Sequence, residues 1–258
     1  MKMNLNNKQL STIEQNHLGH FAYLPKNLGF DVHETNGVTI INCGLKTSMF
    51  NIVYGAPKDT AAGIDQIKRS YKGQPFAWWI PPSAHNPNTT KVLAENGFII
   101  ETIEHAMFCD LNNVESFEQK TDLLITQVTS KLMLADFISV LEPYDPHIST
   151  FYGRMNDELL QRDEKLVVGY ADGKPVSIGI LFVLENSAGI FSLVTSEDSQ
   201  GKGYGTDVMV FLMNIVKDHG CHSVTLSASS NEGYRIYERL GFSKVGEFEC
   251  FEYKGDCT

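Results

Sequence analysis

The sequence is poor in positive charge: 21 Lys and Arg stand against 31 Asp and Glu, a formal net charge of −10. A protein that neutralises the phosphates of DNA or RNA needs a basic face, so no nucleic-acid partner is expected. Long hydrophobic runs are also missing. The most apolar stretch, 176–184, is far shorter than the roughly 20 residues of a spanning helix, so no membrane segment is expected. Residues 1–10 lack the apolar core of a secretory signal. The five cysteines (43, 109, 221, 250 and 257) form no CxxC and no metal-ligand spacing. Neither a disulfide framework nor a metal site is expected, and reduced thiols point to a cytoplasmic protein. Two nucleotide fingerprints are absent as well, the Walker Gly-Lys-Ser/Thr and the dinucleotide G-x-G-x-x-G.

What the sequence does contain is sharpest between Ser192 and Thr206. An apolar β run, 190–195, enters a polar turn and then glycines at 201, 203 and 205. A periodic helix follows, with Val208, Met209, Phe211, Leu212, Ile215 and Val216 on one face. A helix N-terminus has free N–H groups and the positive end of a dipole. Glycines let the backbone approach a ligand and take positive φ. Strand, glycine loop and helix together suit a phosphate, and Lys202 adds a mobile charge. The loop reads Gln-x-x-Gly-x-Gly at Gln200, Gly203 and Gly205. About thirty residues on, Ser229–Phe242 reads as a short helix ending in Tyr-x-x-x-Gly-Phe, at Tyr237, Gly241 and Phe242.

These two motifs, in this order and at this separation, resemble the GNAT superfamily of N-acetyltransferases over roughly 120–258. The resemblance implies a mixed α/β fold (an α+β mixed sheet) with acetyl-CoA as co-substrate and no metal. It implies that the backbone of Gln200, Gly201, Lys202, Gly203, Tyr204, Gly205 and Thr206 holds the pyrophosphate of coenzyme A. The pantetheine arm would run along Leu193, Val194 and Thr195, where the family's fourth and fifth strands splay. An N–H of Leu193 or Val194 would face the thioester oxygen. Tyr237 would be the general acid, since an ordinary phenol, with a pKa of about 10, carries its proton at neutral pH. Ser230 stands where the family often has asparagine; it either bonds the pantetheine or caps the following helix. The chain departs from the family in having no carboxylate on 190–195. Glu185, Asp136 and Glu142 are candidate bases in name only, and the base is left unassigned.

The rest of the chain sets the frame. Residues 5–30 show no clean period, though Leu10, Ile13, Leu18 and Phe21 suit one helix face. Strands are expected at 38–42, 50–54, 75–80 and 98–111, and helices at 60–72 and 88–96. The polar stretch 112–121 is the expected boundary between domains 1–118 and 119–258. Beyond it the pattern predicts a strand at 123–128, helices at 130–142 and 149–161, a hairpin at 166–184 turning at Asp172-Gly173, and a helix at 203–218. Strands at 223–228 and 243–253 flank the Tyr237 helix. Leu93–Phe98 echoes Tyr237–Phe242, so the first domain is either a degenerate GNAT-like copy, making the fold tandem, or an unrelated αβ domain. Its loop at 55–60 lacks the glycine pattern and is not expected to bind the coenzyme. Trp78 and Trp79 point to opposite faces of one strand and are expected in the core. His147 and His222 have no partner spacing.

Residues 119–258 carry 12 basic against 20 acidic residues, net −8, against −2 (9 and 11) for 1–118. That balance accords with a cationic amine acceptor, a small molecule or a peptide or protein amine, and equally with solubility alone. The reading is an N-acyltransferase using acetyl-CoA. The alternatives are a non-catalytic coenzyme-A-binding module and a transferase of longer acyl groups. The oligomeric state is not legible.

Overall fold

The structure, a computed structural model, describes residues 5–56, 61–114 and 118–255. The chain forms two compact units that are not contiguous in sequence. The first comprises Met1–Met107, Ser227–Tyr234 and Lys244–Thr258; the second comprises Phe108–Leu226 and Arg235–Ser243.

The first unit is a mixed sheet with helices. Its strands are β1 (Asp31–Thr35), β2 (Val38–Asn42), β3 (Ile52–Tyr54), β4 (Phe76–Ile80) and β5 (Ile99–Asp110), whose last residues belong to the second unit. The chain's final strand, β11 (Ser243–Tyr253), belongs almost wholly here and runs antiparallel to β4, with Phe251 opposite Trp78. The order is β1-β2-β3-β4-β11-β5. Helices α1 (Leu5–Asn27), α2 (Ala61–Ser70) and α3 (Pro87–Glu95) accompany it. Two apolar layers result. Val53, Ile64, Ile67, Trp78, Phe98 and Phe251 pack in one; Ile13, Tyr54, Phe248 and the flank of Trp79 pack in the other. The adjacent tryptophans thus go to opposite layers, as strand alternation requires, and both serve the core. The loop at 55–60 lies mostly outside the described residues.

The second unit is an antiparallel meander that ends in a parallel pair. Its strands are β6 (Leu124–Gln127), β7 (Glu164–Ala171), β8 (Lys174–Leu184), β9 (Ser187–Thr195) and β10 (Ser223–Ala228), whose last two residues belong to the first unit, in the order β10-β9-β8-β7-β6. Helices α4 (Lys131–Leu141) and α5 (Ile148–Tyr152) lie between β6 and β7, and α6 (Tyr204–Asp218) crosses from β9 to β10. Helix α7 (Asn231–Arg239) follows, its residues as far as Tyr234 belonging to the first unit. Every residue from Val176 to Phe182 is buried, because β8 is covered by both α4 and α6; a strand buried on both faces reads as a continuous apolar run. Ser130 caps α4, its Oγ accepting from Met133 N–H at 3.3 Å. The helix expected at 149–161 stops at Tyr152 instead. The chain turns at Gly153, yet Met155, Leu159 and Leu160 are still buried. No described helix is long and apolar enough to cross a membrane.

The echo between the two halves is a shared helix stop. In each, a glycine of positive φ follows the helix, Gly97 at 82° and Gly241 at 90°. The next N–H then reaches back five residues, from Phe98 to the Leu93 carbonyl (3.1 Å) and from Phe242 to the Tyr237 carbonyl (3.0 Å).

Burial pushes the phenols of Tyr54, Tyr71 and Tyr152 well up. It also pushes the Cys109 thiol up to about 11 and, with Asp136 beside it, the Tyr170 phenol up to about 12. A folded pKa raised above the unfolded one gives stability that is complete below the unfolded value and lost as pH rises through the folded one. Unfolded thiols and phenols titrate near about 8.5 and 10. These groups should therefore leave the melting temperature level at neutral pH and lower it from about pH 9 upward. Scanning calorimetry across alkaline buffers measures this directly.

Candidate active site

The site is built where β9 leaves the sheet. On one side β9 pairs with β8 as far as Thr195, opposite Ser177. On the other side it pairs with β10 only from Ser187 to Gly189, opposite Ser223 to Thr225. Beyond Gly189 both strands continue without pairing to each other, so β9 has an open edge over 190–195 among the described residues. Burial follows this change: Ala188–Phe191 are buried and Ser192–Thr195 are half-buried.

The open segment contains a bulge. Ile180 faces Phe191 and Ile178 faces Val194, so Ser192 and Leu193 together oppose Gly179. Ser192 holds φ at 48°, a left-handed value that is rare for a residue with a side chain. Gly179 permits the close packing behind the bulge: a Cβ there would meet Leu212 Cδ1 at 2.8 Å and Val208 Cγ1 at 3.1 Å, both on α6.

The last residues of β9 are firmly held. The Ser177 Oγ donates to the Val194 carbonyl (3.0 Å) and lies 2.9 Å from Thr195 Oγ1. The Ser196 N–H donates to the Val176 carbonyl at 2.9 Å. Val194 is therefore bonded toward β8, and alternation turns the peptide groups of Thr195 to the open edge. There the Gln200 Nε2 donates to the Thr195 carbonyl at 3.1 Å.

A single 3₁₀ turn, Glu197–Ser199, leads into the glycine loop. Gly201 has φ 75°, and Gly203, the N-cap of α6, has φ 90°. The first helical bond runs from Asp207 N–H to the Gly203 carbonyl at 3.1 Å. The N–H groups of Tyr204, Gly205 and Thr206 precede it in the first turn, where a helix has no carbonyl to offer. Gln200, Gly201, Lys202 and Gly203 are exposed, and Tyr204, Gly205 and Thr206 are half-buried. Lys202 Nζ donates to the Asp198 carbonyl at 3.0 Å, within the loop. The outcome is a row of main-chain donors around the positive end of a fifteen-residue helix, fit to hold a diphosphate.

The other candidates fall as follows. Tyr237 is half-buried on α7 in the second unit, its ring 6.1 Å from that of Phe242. Ser230, in the first unit, is exposed and caps α7: its Oγ accepts from Gly233 N–H at 3.1 Å. Of the carboxylates, Asp136 accepts from the Tyr170 hydroxyl (2.8 Å), Glu185 sits in the β8–β9 turn with φ 53°, and Glu142 is exposed beyond α4. None lies on the open part of β9. His147 N–H donates to Asp145 Oδ1 at 2.7 Å and His222 N–H to the Asn186 carbonyl at 2.9 Å, both through the backbone. No group of three metal-ligating side chains occurs among the described residues. The four described cysteines are buried. The bulge at Ser192 and the hydroxyl pair Ser177–Thr195 were not read from the sequence; Gly179 inside an apolar strand was the signal available.

Residues 131–242 match the family model described as the acetyltransferase (GNAT) family. Among solved structures, a GCN5-related N-acetyltransferase from Kribbella flavida is similar at a TM-score of 0.72 and 12% identity, over 99% of this chain and 98% of that one. A functionally unknown conserved protein from Staphylococcus epidermidis ATCC 12228 is similar at 0.68 and 15% identity, over 89% and 96%. A tandem GNAT protein from the clavulanic acid biosynthesis pathway is similar at 0.54 and 13% identity, over 76% and 70%. At these identities the likeness is one of fold. No curated protein matches by sequence.

Proposed function

With residues 131–242 a domain of the acetyltransferase (GNAT) family, we propose that the chain is an N-acyltransferase that moves an acetyl group from acetyl-CoA to a primary amine. One observation carries this reading: the open, bulged edge of β9 runs directly into the donor row of 200–206. A ligand with an extended amide-bearing arm and a diphosphate fits that track. The N–H groups from Gly201 to Thr206 hold the diphosphate, with the Lys202 charge nearby, and Leu193 and the Thr195 N–H offer backbone partners to the arm. Coenzyme A supplies an activated thioester. Of the two candidates for polarising its oxygen, Leu193 lies in the bulge, whereas Val194 is bonded toward β8. Tyr237 donates a proton to the departing sulfur. The acceptor is a small amine or a peptide or protein terminus. Ser230 acts as a helix cap rather than a ligand.

One observation favours a second reading, a coenzyme-binding module without catalysis. No carboxylate stands on 190–195, so an ammonium acceptor must lose its proton to water before attack. A donor with a longer acyl chain is the third reading, and it shares the same loop.

Binding of acetyl-CoA should raise the melting temperature by several degrees, since ligand at 100 times its Kd stabilises by about 2.7 kcal/mol. Differential scanning fluorimetry with acetyl-CoA and a longer acyl-CoA measures this. Release of free thiol from acetyl-CoA, dependent on one member of an amine panel, then identifies the enzyme. A thermal shift with no thiol release for any amine favours the module, and no thermal shift rejects both.

A further inference from the structure

Glycines free the loop's N–H groups, but they also remove the side chains that would hold the loop in place. Something else must fix it, and the structure supplies a fastening from behind. Asp207, in the first turn of α6, is only 1% exposed. Its carboxylate accepts from Lys120 N–H (2.9 Å), Thr121 N–H (2.8 Å) and the Thr121 hydroxyl (2.6 Å). Its own N–H donates to the Gly203 carbonyl at 3.1 Å. Thr121 Cγ2 closes the triangle, lying 3.3 Å from where a Cβ on Gly203 would be. The 119–123 segment is itself braced: Gln119 Nε2 donates to the carbonyl of Thr121, and Leu123 N–H donates to Thr121 Oγ1.

A carboxylate at the head of an anion-binding helix is unexpected, because it competes for the same positive end. Here its charge is committed to three donors, and the helix end is left to a ligand. We propose that Asp207, through Thr121, is a positioning residue that fixes Gly203 and the first turn of α6 for diphosphate binding. The proposal rests on the functional reading above and assigns its loop a mechanical support that neither motif contains. Asp207 touches no reacting atom; it acts through Gly203.

The test uses the full chain with Asp207→Asn and Thr121→Val. Asparagine sets an N–H₂ against one of the three donors; valine removes the hydroxyl donor at nearly constant shape. Calorimetry with coenzyme A should show Kd raised about tenfold or more in the first and severalfold in the second. In thiol-release kinetics KM for acetyl-CoA should rise with it, while kcat at saturation stays within about twofold. A merely structural role would lower the melting temperature and leave Kd unchanged in folded protein, and that result overturns the proposal. If Asp207→Asn does not fold, Thr121→Val decides alone. A parent protein that binds no coenzyme A removes the functional reading itself; a parent that binds with variants that bind equally well removes only this inference.

Discussion

Gly205→Val is expected to abolish measurable coenzyme A binding while leaving a folded protein. Gly205 is the second residue of α6, and its missing side chain points back at the sheet: a Cβ there would lie 3.2 Å from Thr195 Oγ1. Thr195 cannot yield freely, because its hydroxyl is 2.9 Å from Ser177 Oγ and its carbonyl receives Gln200. A branched side chain must therefore push the head of α6 away from the end of β9. The donors of the loop and the open strand edge then cease to form one track. Main-chain hydrogen bonds to an anion weaken steeply with distance and angle, and several are lost together. A rise in Kd of at least about 100-fold, near 2.8 kcal/mol, is expected. Gly203→Ala tests the same loop by another route. At φ 90° an added Cβ costs roughly 1–2 kcal/mol of backbone strain. Calorimetry with coenzyme A, beside a melting curve showing that each variant is folded, reads both. If both bind within about fivefold of the parent, the diphosphate is held elsewhere.

The difference between what was and was not legible follows from where each constraint is written. The glycine loop lies within one short stretch, so its place between β9 and the N-terminus of α6 is visible from residue types alone. β8 announces itself because burial on both faces leaves no polar alternation. Ser130, and the glycines after α3 and α7, are local signals that the backbone obeys. The opposite holds for β1: Asp31–Thr35 is exposed along most of its length, has no apolar face, and is formed by the turn at Asn36-Gly37, both at positive φ. α1 was blurred for a different reason. Its buried stripe includes Asn16 and His17, at 0% and 2% exposure beside Ile13 and Leu24, so the helical period is there but not in apolar residues. His17 is accommodated by rings, stacked on Phe248 at 4.2 Å, and burial holds it well below the usual histidine range.

Pairing was the harder matter. Nothing local to 243–253 says that this strand joins β4, more than 160 residues earlier. Asp207 reads as an ordinary polar residue in a first helical turn until its partners, 86 and 87 residues away, are seen. The bulge hides for the same reason. A serine at positive φ has no signature of its own, and the residue that permits it, Gly179, lies on the neighbouring strand. Motifs thus raised the expectation of a ligand class, while the devices that hold the motif in shape reside in long-range contacts.

Tyr237→Phe is expected to separate chemistry from binding. The change removes one hydroxyl from a half-buried ring and leaves the contact with Phe242 intact. The stop of α7 is equally untouched, since the bonds from Leu240 and Phe242 go to the Tyr237 main-chain carbonyl. Coenzyme Kd should therefore stay within about threefold of the parent. If the hydroxyl protonates the departing thiolate, kcat should fall by the factor general acids contribute, roughly 10²- to 10⁴-fold. The pH profile supplies the sign. An acid must carry its proton, so the parent's kcat should decline at alkaline pH as the phenol ionises, and the variant should lack that decline. Turnover retained by the phenylalanine variant, or a parent profile flat from neutral to alkaline pH, would take the proton-donor role away from Tyr237. The proposed coenzyme site at the glycine loop would stand, because it rests on main-chain donors and not on that hydroxyl.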